Sequence, residues 1–235
     1  MIVAARTHAG LVRPSNQDML LMCGRLYGVA DGMGGHNGGE IASAGAVTVL
    51  KDMLSNHEPS GKLLEEGIQA ANRRLYEQQS QDSALAGMGT TVTALWEGSD
   101  NVYLGHVGDS RAYLMRDGVF MQVTQDHSVV AEMMRQGILT KEKAKKHPYR
   151  NVITRAVGTA SGIEVDILSR DKKSGDIWLL CSDGLYGMVE DNVIEQVLKT
   201  YLLEEAADQL VQLALDNGGR DNISLVLLKV AEVAQ

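Results

Sequence analysis

The chain is poor in cysteine, proline and large aromatic residues. Its 235 residues include two cysteines, three prolines, two tryptophans and one phenylalanine. Cys23 and Cys181 lie in apolar segments, where a free thiol packs as a small hydrophobe, so no disulfide framework is expected. No apolar run approaches the roughly 18 residues of a membrane span, and the N-terminal segment lacks the pattern of a signal peptide. We therefore expect a cytoplasmic protein with no membrane partner.

Basic residues are also in deficit. The 22 Lys and Arg residues face 30 Asp and Glu residues, which gives a formal net charge of −8. Binding to nucleic acid requires the opposite sign of charge, so nucleic acid is excluded as an expected partner. A hydrophobic content of 44% is enough for a substantial core. We expect one catalytic domain over residues 1–235.

Apolar and β-branched runs separated by short turns predict a chain rich in antiparallel strands. The predicted strands are 2–7, 19–22, 26–30, 90–96, 101–107, 111–115, 119–124, 163–168, 177–181 and 223–230. Helical spacing predicts helices over 40–54, 63–79, 191–201 and 204–217. This order predicts an α+β fold: a four-layer αββα sandwich of two stacked antiparallel sheets flanked by helical pairs. Residues 128–151, with a cluster of lysines, are expected to form a mobile flap-like excursion.

Three acidic motifs stand where apolar runs give way to Gly or Asn. They are V-A-D-G-M-G-G at 29–35, C-S-D-G-L at 181–185 and G-R-D-N-I at 219–223. A lone Asp-Gly is a common turn signal, but three buried carboxylates in similar settings are costly unless they converge on a cation. Hard divalent cations prefer oxygen ligands such as carboxylate, backbone carbonyl and water. The motifs therefore predict metal-assisted hydrolysis.

Two further segments carry candidate site residues. Asp109 stands in G-H-V-G-D-S-R between two predicted strands, where it is either a metal ligand or a turn-capping residue. Arg13 stands in V-R-P-S-N-Q-D, which ends at Asp18. Its planar guanidinium suits two phosphate oxygens, and a surface ion pair is the alternative.

These motifs resemble, in order along the whole chain, those of the metal-dependent protein phosphatases, the type 2C Ser/Thr phosphatases, in their compact bacterial form. The matching segments are R-P-S-N-Q-D, V-A-D-G-M-G-G-H, G-M-G-T-T, G-D-S-R, D-H-S, N-V-I-T-R-A-V-G, C-S-D-G-L and R-D-N-I. The resemblance implies a helix-flanked β-sandwich with two tight Mn²⁺ or Mg²⁺ sites and a possible weaker third. It also implies hydrolysis of phosphoserine or phosphothreonine by a metal-bridging hydroxide.

The resemblance also implies a role for each site residue. Asp31 would bridge the two metals, Gly32 would offer its carbonyl, and Asp183 and Asp221 would complete the centre. Asp18 would act through metal-bound water. Asp109 would hold the third metal, and Arg13 would bind the substrate phosphate. The implied partners are phosphorylated proteins and an opposing bacterial Ser/Thr kinase, and we expect a monomer.

The sequence departs from the family pattern at three positions. Gln17 replaces a frequent Glu, which removes a negative charge beside the metals. Met33 stands where eukaryotic relatives carry a His thought to act as general acid. His36 is interpreted as a surface residue at the start of a helix, so the general acid is unassigned. Gly187 stands where many relatives have a second Asp, so a third metal should bind weakly.

Two other functions remain open. A dedicated phosphatase of one partner-switching regulator would share the metal carboxylates, and activity on few phosphopeptides would distinguish it. A pseudophosphatase would bind phosphoproteins without turnover, but the retained Asp31, Asp183, Asp221 and Arg13 argue against it, since a two-metal hydrolase needs them.

Overall fold

The computed structural model describes residues 1–34 and 38–231, and within them the chain forms two antiparallel sheets. The strands are β1 (Ile2–His8), β2 (Asp18–Cys23), β3 (Leu26–Met33), β4 (Gly89–Thr90), β5 (Val92–Glu97), β6 (Asn101–Val107), β7 (Arg111–Arg116), β8 (Val119–Gln122), β9 (Asp166–Asp171), β10 (Ile177–Cys181) and β11 (Ile223–Lys229). One sheet has the order β1-β11-β10-β7-β8. The other has the order β2-β3-β5-β6-β9, with β4 paired to β3.

The described residues form seven α-helices. They are α1 (Gly38–Leu54), α2 (Gly61–Gln81), α3 (Val129–Arg135), α4 (Lys141–Ala144), α5 (Asp183–Tyr186), α6 (Asp191–Thr200) and α7 (Leu203–Asp216). The pair α1 and α2 packs on the sheet that contains β3, and α5 to α7 pack on the sheet that contains β11. The predicted αββα sandwich is confirmed.

The side chains of each strand point alternately to its two faces, and this explains how the sheets and helices stack in layers. In β11, Leu225 and Leu227 pack against the helices, whereas Val226 and Leu228 face the other sheet. Successive strand residues point to opposite faces, so a strand buried on both faces must be apolar throughout. Trp178 of β10, which is fully buried, contributes the largest side chain to the layer between the sheets.

The strand predictions differ from the structure in two informative places. Asp31 and Gly32 were predicted to follow a strand, but β3 continues through them because Gly32 pairs with Thr90 of β4. The strand predicted at 163–168 lies instead at Asp166–Asp171, where it pairs with β6. Apolar character suggested the earlier residues, whereas cross-strand hydrogen bonding selects a more polar edge strand.

Ion pairs join the two sheets at the end of the sandwich where β1 begins. Arg116 of β7 contacts Asp171 of β9 at 2.9 Å. The N-terminal ammonium of Met1 lies 3.2 Å from a carboxylate oxygen of Glu97, at the end of β5. The candidate site described below lies at the opposite end.

The flap-like segment predicted at 128–151 contains α3 and α4. Ser128 caps α3 by accepting a hydrogen bond from the Ala131 amide, and Thr140 caps α4 in the same way. Lys141 and Lys145 form ion pairs with Asp191 and Glu190 at the start of α6. The segment is thus tied to the body of the protein by side-chain contacts.

Across the described residues, none of the helices combines the length and the apolar character needed to cross a membrane.

Candidate functional site

A cavity of about 430 Å³ opens at the end of the sandwich where β3 and β10 finish. Its walls contain most of the site residues that the motifs predicted. The predicted site residues that line it are Arg13, Asp31, Gly32, Asp109, Asp183 and Asp221. Asp18 is buried directly behind them. Residues from five separated segments therefore meet at one place.

Asp18 and Asp31 are brought together by strand pairing. They lie opposite each other in the β2–β3 register. One carboxylate oxygen of Asp18 accepts a hydrogen bond from the Ser182 hydroxyl at 2.7 Å. The other, Oδ1, is buried and has no hydrogen-bond partner among residues 1–34 and 38–231. An unpaired buried carboxylate oxygen is costly, so this atom requires a cation or a water molecule.

Asp183 and Asp221 are brought together by the close approach of two loops. Asp183 begins α5 directly after β10, and Asp221 precedes β11. Between them lies Gly184, where an added Cβ would stand 1.9 Å from the carbonyl oxygen of Asn222. Only glycine permits this contact between the two backbones, which accounts for the Asp-Gly order of the motif.

The cluster is electrostatically unfavourable by itself. Burial, and then the neighbouring carboxylates, raise the pKa of Asp31 well above its usual value and that of Asp183 to about 8. Burial likewise raises the pKa of Asp18 to about 6, although the Ser182 hydroxyl opposes the shift. Each shift records the cost of charge in a desolvated group of like-charged residues. Positive charge placed among them would remove that cost.

The donor set fits hard divalent cations. All the side chains concerned offer oxygen, and Gly32 lies on the cavity wall with a backbone so closely packed that an added Cβ would stand 2.0 Å from the Gly39 carbonyl oxygen. Across residues 1–34 and 38–231, no three His, Cys, Asp or Glu side chains are grouped so that they could hold a metal ion. Mn²⁺ and Mg²⁺ also accept backbone carbonyl oxygens and water beside carboxylates.

Arg13 forms an ion pair, the alternative that the sequence left open, but its partner Asp221 was not predicted. Its Nε and Nη2 atoms donate to the two carboxylate oxygens of Asp221, at 2.8 and 2.7 Å. The hydrogen bonds to Asp221 raise the pKa of Arg13 above its usual value. The predicted phosphate-binding fork and a predicted metal ligand are thus paired with each other at the cavity mouth. A phosphate that binds Arg13 must compete with Asp221 for the guanidinium.

This pairing sharpens a prediction for Arg13→Ala. We expect kcat/KM for a phosphopeptide to fall by roughly 1.5–3 kcal/mol in transition-state free energy, because a charged hydrogen-bond donor is lost. Mn²⁺ affinity should hold or increase, since Asp221 is released from its partner. Calorimetric titration with Mn²⁺ provides the check. A variant that loses Mn²⁺ binding would show that Arg13 only holds Asp221 in position.

Asp109 lies in the β6–β7 loop and reaches the same cavity. Burial, and then Asp126, raise its pKa to about 6. The hydroxyl of Tyr186 donates to the Asp109 carbonyl oxygen at 2.9 Å, and the Arg111 guanidinium lies 3.6 Å from the Tyr186 ring centroid. Nothing in the sequence motifs indicated Tyr186. Its aromatic ring and hydroxyl fix the loop that presents Asp109.

Gly187, noted as a missing carboxylate, ends α5. An added Cβ there would lie 2.7 Å from the Asp183 carbonyl oxygen. A second acidic side chain would therefore require α5 to shift, so the local packing agrees with glycine at this position.

Two supporting residues were missed because their contacts join distant segments. The Thr91 hydroxyl accepts from the Asp31 amide at 2.9 Å. The Asn222 side chain accepts from the Gln17 amide and donates to the carbonyl oxygens of Ala9 and Ser15. Asn222 thus fastens the loop that carries Arg13 to the loop that carries Asp221. The sequence offered one signal for Thr91 and Asn222, which is that both lie within motifs shared with the family.

The histidines that the structure describes do not line the cavity. His106 is fully buried, and its ring nitrogens contact the Thr93 hydroxyl and the Gln125 carbonyl oxygen. His127 Nδ1 accepts from the Gly108 amide. These contacts hold both rings inside the fold. His36 lies outside the described residues.

A sequence profile described as protein phosphatase 2C matches residues 14–217. The chain is 40% identical to the serine/threonine protein phosphatase PstP of Mycobacterium tuberculosis over 97% of its own length. It spans only 45% of that relative. It is 39% identical to the serine/threonine phosphatase stp of Listeria monocytogenes, with 86% of this chain and 82% of that protein aligned.

Solved structures agree with these matches. A structure described as the catalytic domain of the serine threonine protein phosphatase PstP in complex with two manganese ions superimposes with a TM-score of 0.91. The two are 37% identical, and the alignment covers 98% of each chain. The fold and the order of the motifs thus agree with both kinds of comparison.

Proposed function

We propose, since the chain belongs to the protein phosphatase 2C family, that it is a metal-dependent hydrolase of phosphoserine and phosphothreonine in proteins. The observation that carries this proposal is the convergence of Asp18, Asp31, Asp183 and Asp221 beside one cavity, with a buried oxygen of Asp18 that finds no partner among the described residues. Four acids gathered at one place, with Asp18 buried and the other three partly buried, have little use in folding, because like charges disfavour one another. Such a cluster suits a cation-binding reaction centre.

Asp31, the Gly32 carbonyl, Asp183 and Asp221 would hold two Mn²⁺ or Mg²⁺ ions, and Asp18 would contribute through water. When bound, such a pair lowers the pKa of a coordinated water and neutralises phosphate charge. The chain's own task is to fix these oxygens. Thr91 holds the Asp31 amide, and Ser182 holds one oxygen of Asp18.

Arg13 would hold the substrate phosphate at the mouth of the cavity. It is half-exposed, with 55% of its side chain accessible, so it can exchange Asp221 for a phosphate without unfolding the loop. A guanidinium binds phosphate with two parallel hydrogen bonds, as it now binds the carboxylate. This exchange orients the phosphorus towards the acidic cluster.

Hydrolysis at this site does not require a covalent phosphoenzyme intermediate. Cys181 is fully buried, and burial raises the pKa of its thiol above the range in which a thiolate forms. Direct attack by water therefore agrees best with the side chains that line the cavity.

The proposal extends to the cellular setting. One catalytic unit over residues 1–235, acting as a monomer, would oppose a Ser/Thr kinase on shared phosphoproteins. Both cysteines are free thiols, which suits the reducing cytoplasm. Native mass measurement of the purified chain tests the monomer.

The test is a metal-dependent assay on matched phosphothreonine, phosphoserine and phosphotyrosine peptides. We expect phosphate release from the first two with Mn²⁺, slower release from phosphotyrosine, and none after chelation. Asp183→Asn serves as the matched inactive variant. Release that survives chelation, or the absence of release from every peptide with metal bound, would overturn the proposal. Activity confined to one phosphoprotein would instead favour the dedicated phosphatase of a single regulator.

Asp109 is assigned to a weaker third ion, and Tyr186 provides a second way to test it. Activity should continue to rise with Mn²⁺ after the tight pair is filled, and Asp109→Ala should remove that upper phase. Tyr186→Phe deletes the hydrogen bond to the Asp109 carbonyl oxygen but keeps the ring over Arg111. We expect it to shift the upper phase to about threefold to tenfold higher Mn²⁺. Unchanged titration curves for both variants would contradict the assignment.

A further inference from the structure

A second groove adjoins the cavity, with a volume of about 850 Å³. It lies between the flap, defined here as residues 128–151, and the segment from α5 to the start of α6. Four residues line both spaces, namely Asp109, Asn151, Asp183 and Asp221. A polypeptide whose phosphate occupies the first cavity therefore has a direct path into the groove.

Most cationic side chains in the groove are already neutralised. Arg111 pairs with Asp126 at 2.7 Å. Two lysines of the flap are also engaged, the first being Lys141, which pairs with an oxygen of Asp191 at 2.7 Å. Lys145 likewise pairs with Glu190, and Arg135 with Glu132 on its own helix. These pairs fix the flap and leave little charge for a ligand.

Arg150 and Arg220 differ from the rest. Both are exposed, both line the groove, and neither guanidinium contacts a carboxylate within the portion of the chain that the structure covers. Arg150 directly precedes Asn151, and Arg220 directly precedes Asp221. Because those neighbours line both spaces, the two arginines join the groove beside the junction, Arg150 from the flap and Arg220 from the body of the protein.

We propose that Arg150 and Arg220 form a subsite for acidic side chains next to the phosphorylated residue of a substrate. The inference rests on the proposed phosphatase function and specifies its substrate class. The chain carries a net charge of −8, so an acidic substrate is repelled overall and gains only where local positive charge remains uncompensated. The junction of the two spaces supplies that charge beside the phosphate position.

The experiment uses two phosphothreonine peptides that differ only in their flanking residues, Glu in one and Gln in the other. With Mn²⁺ and the full chain, kcat/KM should be higher for the Glu peptide by roughly twofold to thirtyfold, the effect of two exposed charge pairs. The preference should shrink as the salt concentration rises from about 0.05 M to about 0.5 M, because exposed charges are screened.

The double variant R150Q/R220Q should lose this preference while it retains the rate on the Gln peptide and on para-nitrophenyl phosphate within about twofold. The matched control is K143Q/K146Q, which removes the same charge from exposed flap positions that do not line the groove. The control should keep the preference of the unmodified chain.

Three results would overturn the subsite. They are equal rates of the unmodified chain on both peptides, an equal loss of preference in the lysine control, and a loss of para-nitrophenyl phosphate hydrolysis in R150Q/R220Q, which would place the arginines at the phosphate itself. Failure of the phosphatase proposal is distinguishable, since the unmodified chain would then release no phosphate from either peptide or from the aryl phosphate.

Discussion

Replacing Asp31 with asparagine is expected to lower kcat on a phosphothreonine peptide on the order of 1,000-fold or more. Asp31 is the centre of the acidic cluster, because Asp18, Asp183, Asp109 and Asp221 each contribute to raising its pKa. Asparagine preserves the shape but offers one neutral oxygen in place of a charged carboxylate. Loss of charge stabilisation at a reaction centre has effects of this size.

The same variant should fold at least as well as the unmodified chain without metal, since one member of a repulsive cluster is neutralised. Thermal unfolding in chelator tests this, with the exposed Asp52→Asn of α1 as a control for the loss of one charge. Near-normal turnover by Asp31→Asn would show that the ions do not share this residue. A fall in metal-free stability would show that Asp31 supports the fold.

Removing metal should make stability depend strongly on pH. The folded chain holds protons on carboxyl groups whose pKa values are raised to about 6 for Asp18 and about 8 for Asp183, whereas the unfolded chain releases them near the usual 3.8. Between about pH 4 and pH 8 the folded state thus binds more protons than the unfolded state. The free energy of unfolding must therefore fall as pH rises through this window. The loss amounts to several kcal/mol, because each tenfold difference in proton affinity between the two states corresponds to about 1.4 kcal/mol.

Mn²⁺ should reverse that loss. An ion that binds only the folded state at about 100 times its dissociation constant adds about 2.7 kcal/mol, which corresponds to about 5–10 °C in Tm for a chain of this size. Differential scanning calorimetry at pH 5 and pH 8, with and without Mn²⁺, measures both effects. A metal-free protein that is more stable at pH 8 than at pH 5 would contradict the proposed electrostatics.

The sequence predicted most accurately the strands that depend on residues close together along the chain. The strand at 101–107 and the strand at 177–181 match β6 and β10 residue for residue, because apolar content and flanking turns are local. The prediction failed where partners are distant. The extension of β3 through Gly32 depends on pairing with Thr90, which no local pattern reveals.

For the candidate site too, local motifs identified residues, whereas contacts between distant residues were not predicted. Asp31 and Asp183 were identified by their Asp-Gly motifs, and Asp221 by its place before an apolar strand. The pairing of Arg13 with Asp221 was not foreseen, because it joins side chains 208 positions apart. The hydrogen bond from Tyr186 to Asp109 spans 77 positions. Such contacts follow from how the two sheets stack, and only the three-dimensional structure contains that information.

The acidic residues of the site come from both sheets. Asp18 and Asp31 belong to one sheet, and Asp183 and Asp221 are attached to the other. Ions held among them would therefore cross-link the two sheets in a way that depends on metal. The opposite end is joined by the ion pairs of Arg116 with Asp171 and of Met1 with Glu97, which need no metal. Depletion of metal would leave the two sides joined near the site by hydrogen bonds such as that from Ser182 to Asp18. Amide hydrogens nearest the carboxylates would then exchange faster than in the metal-bound protein, whereas those beside the two ion pairs would change little.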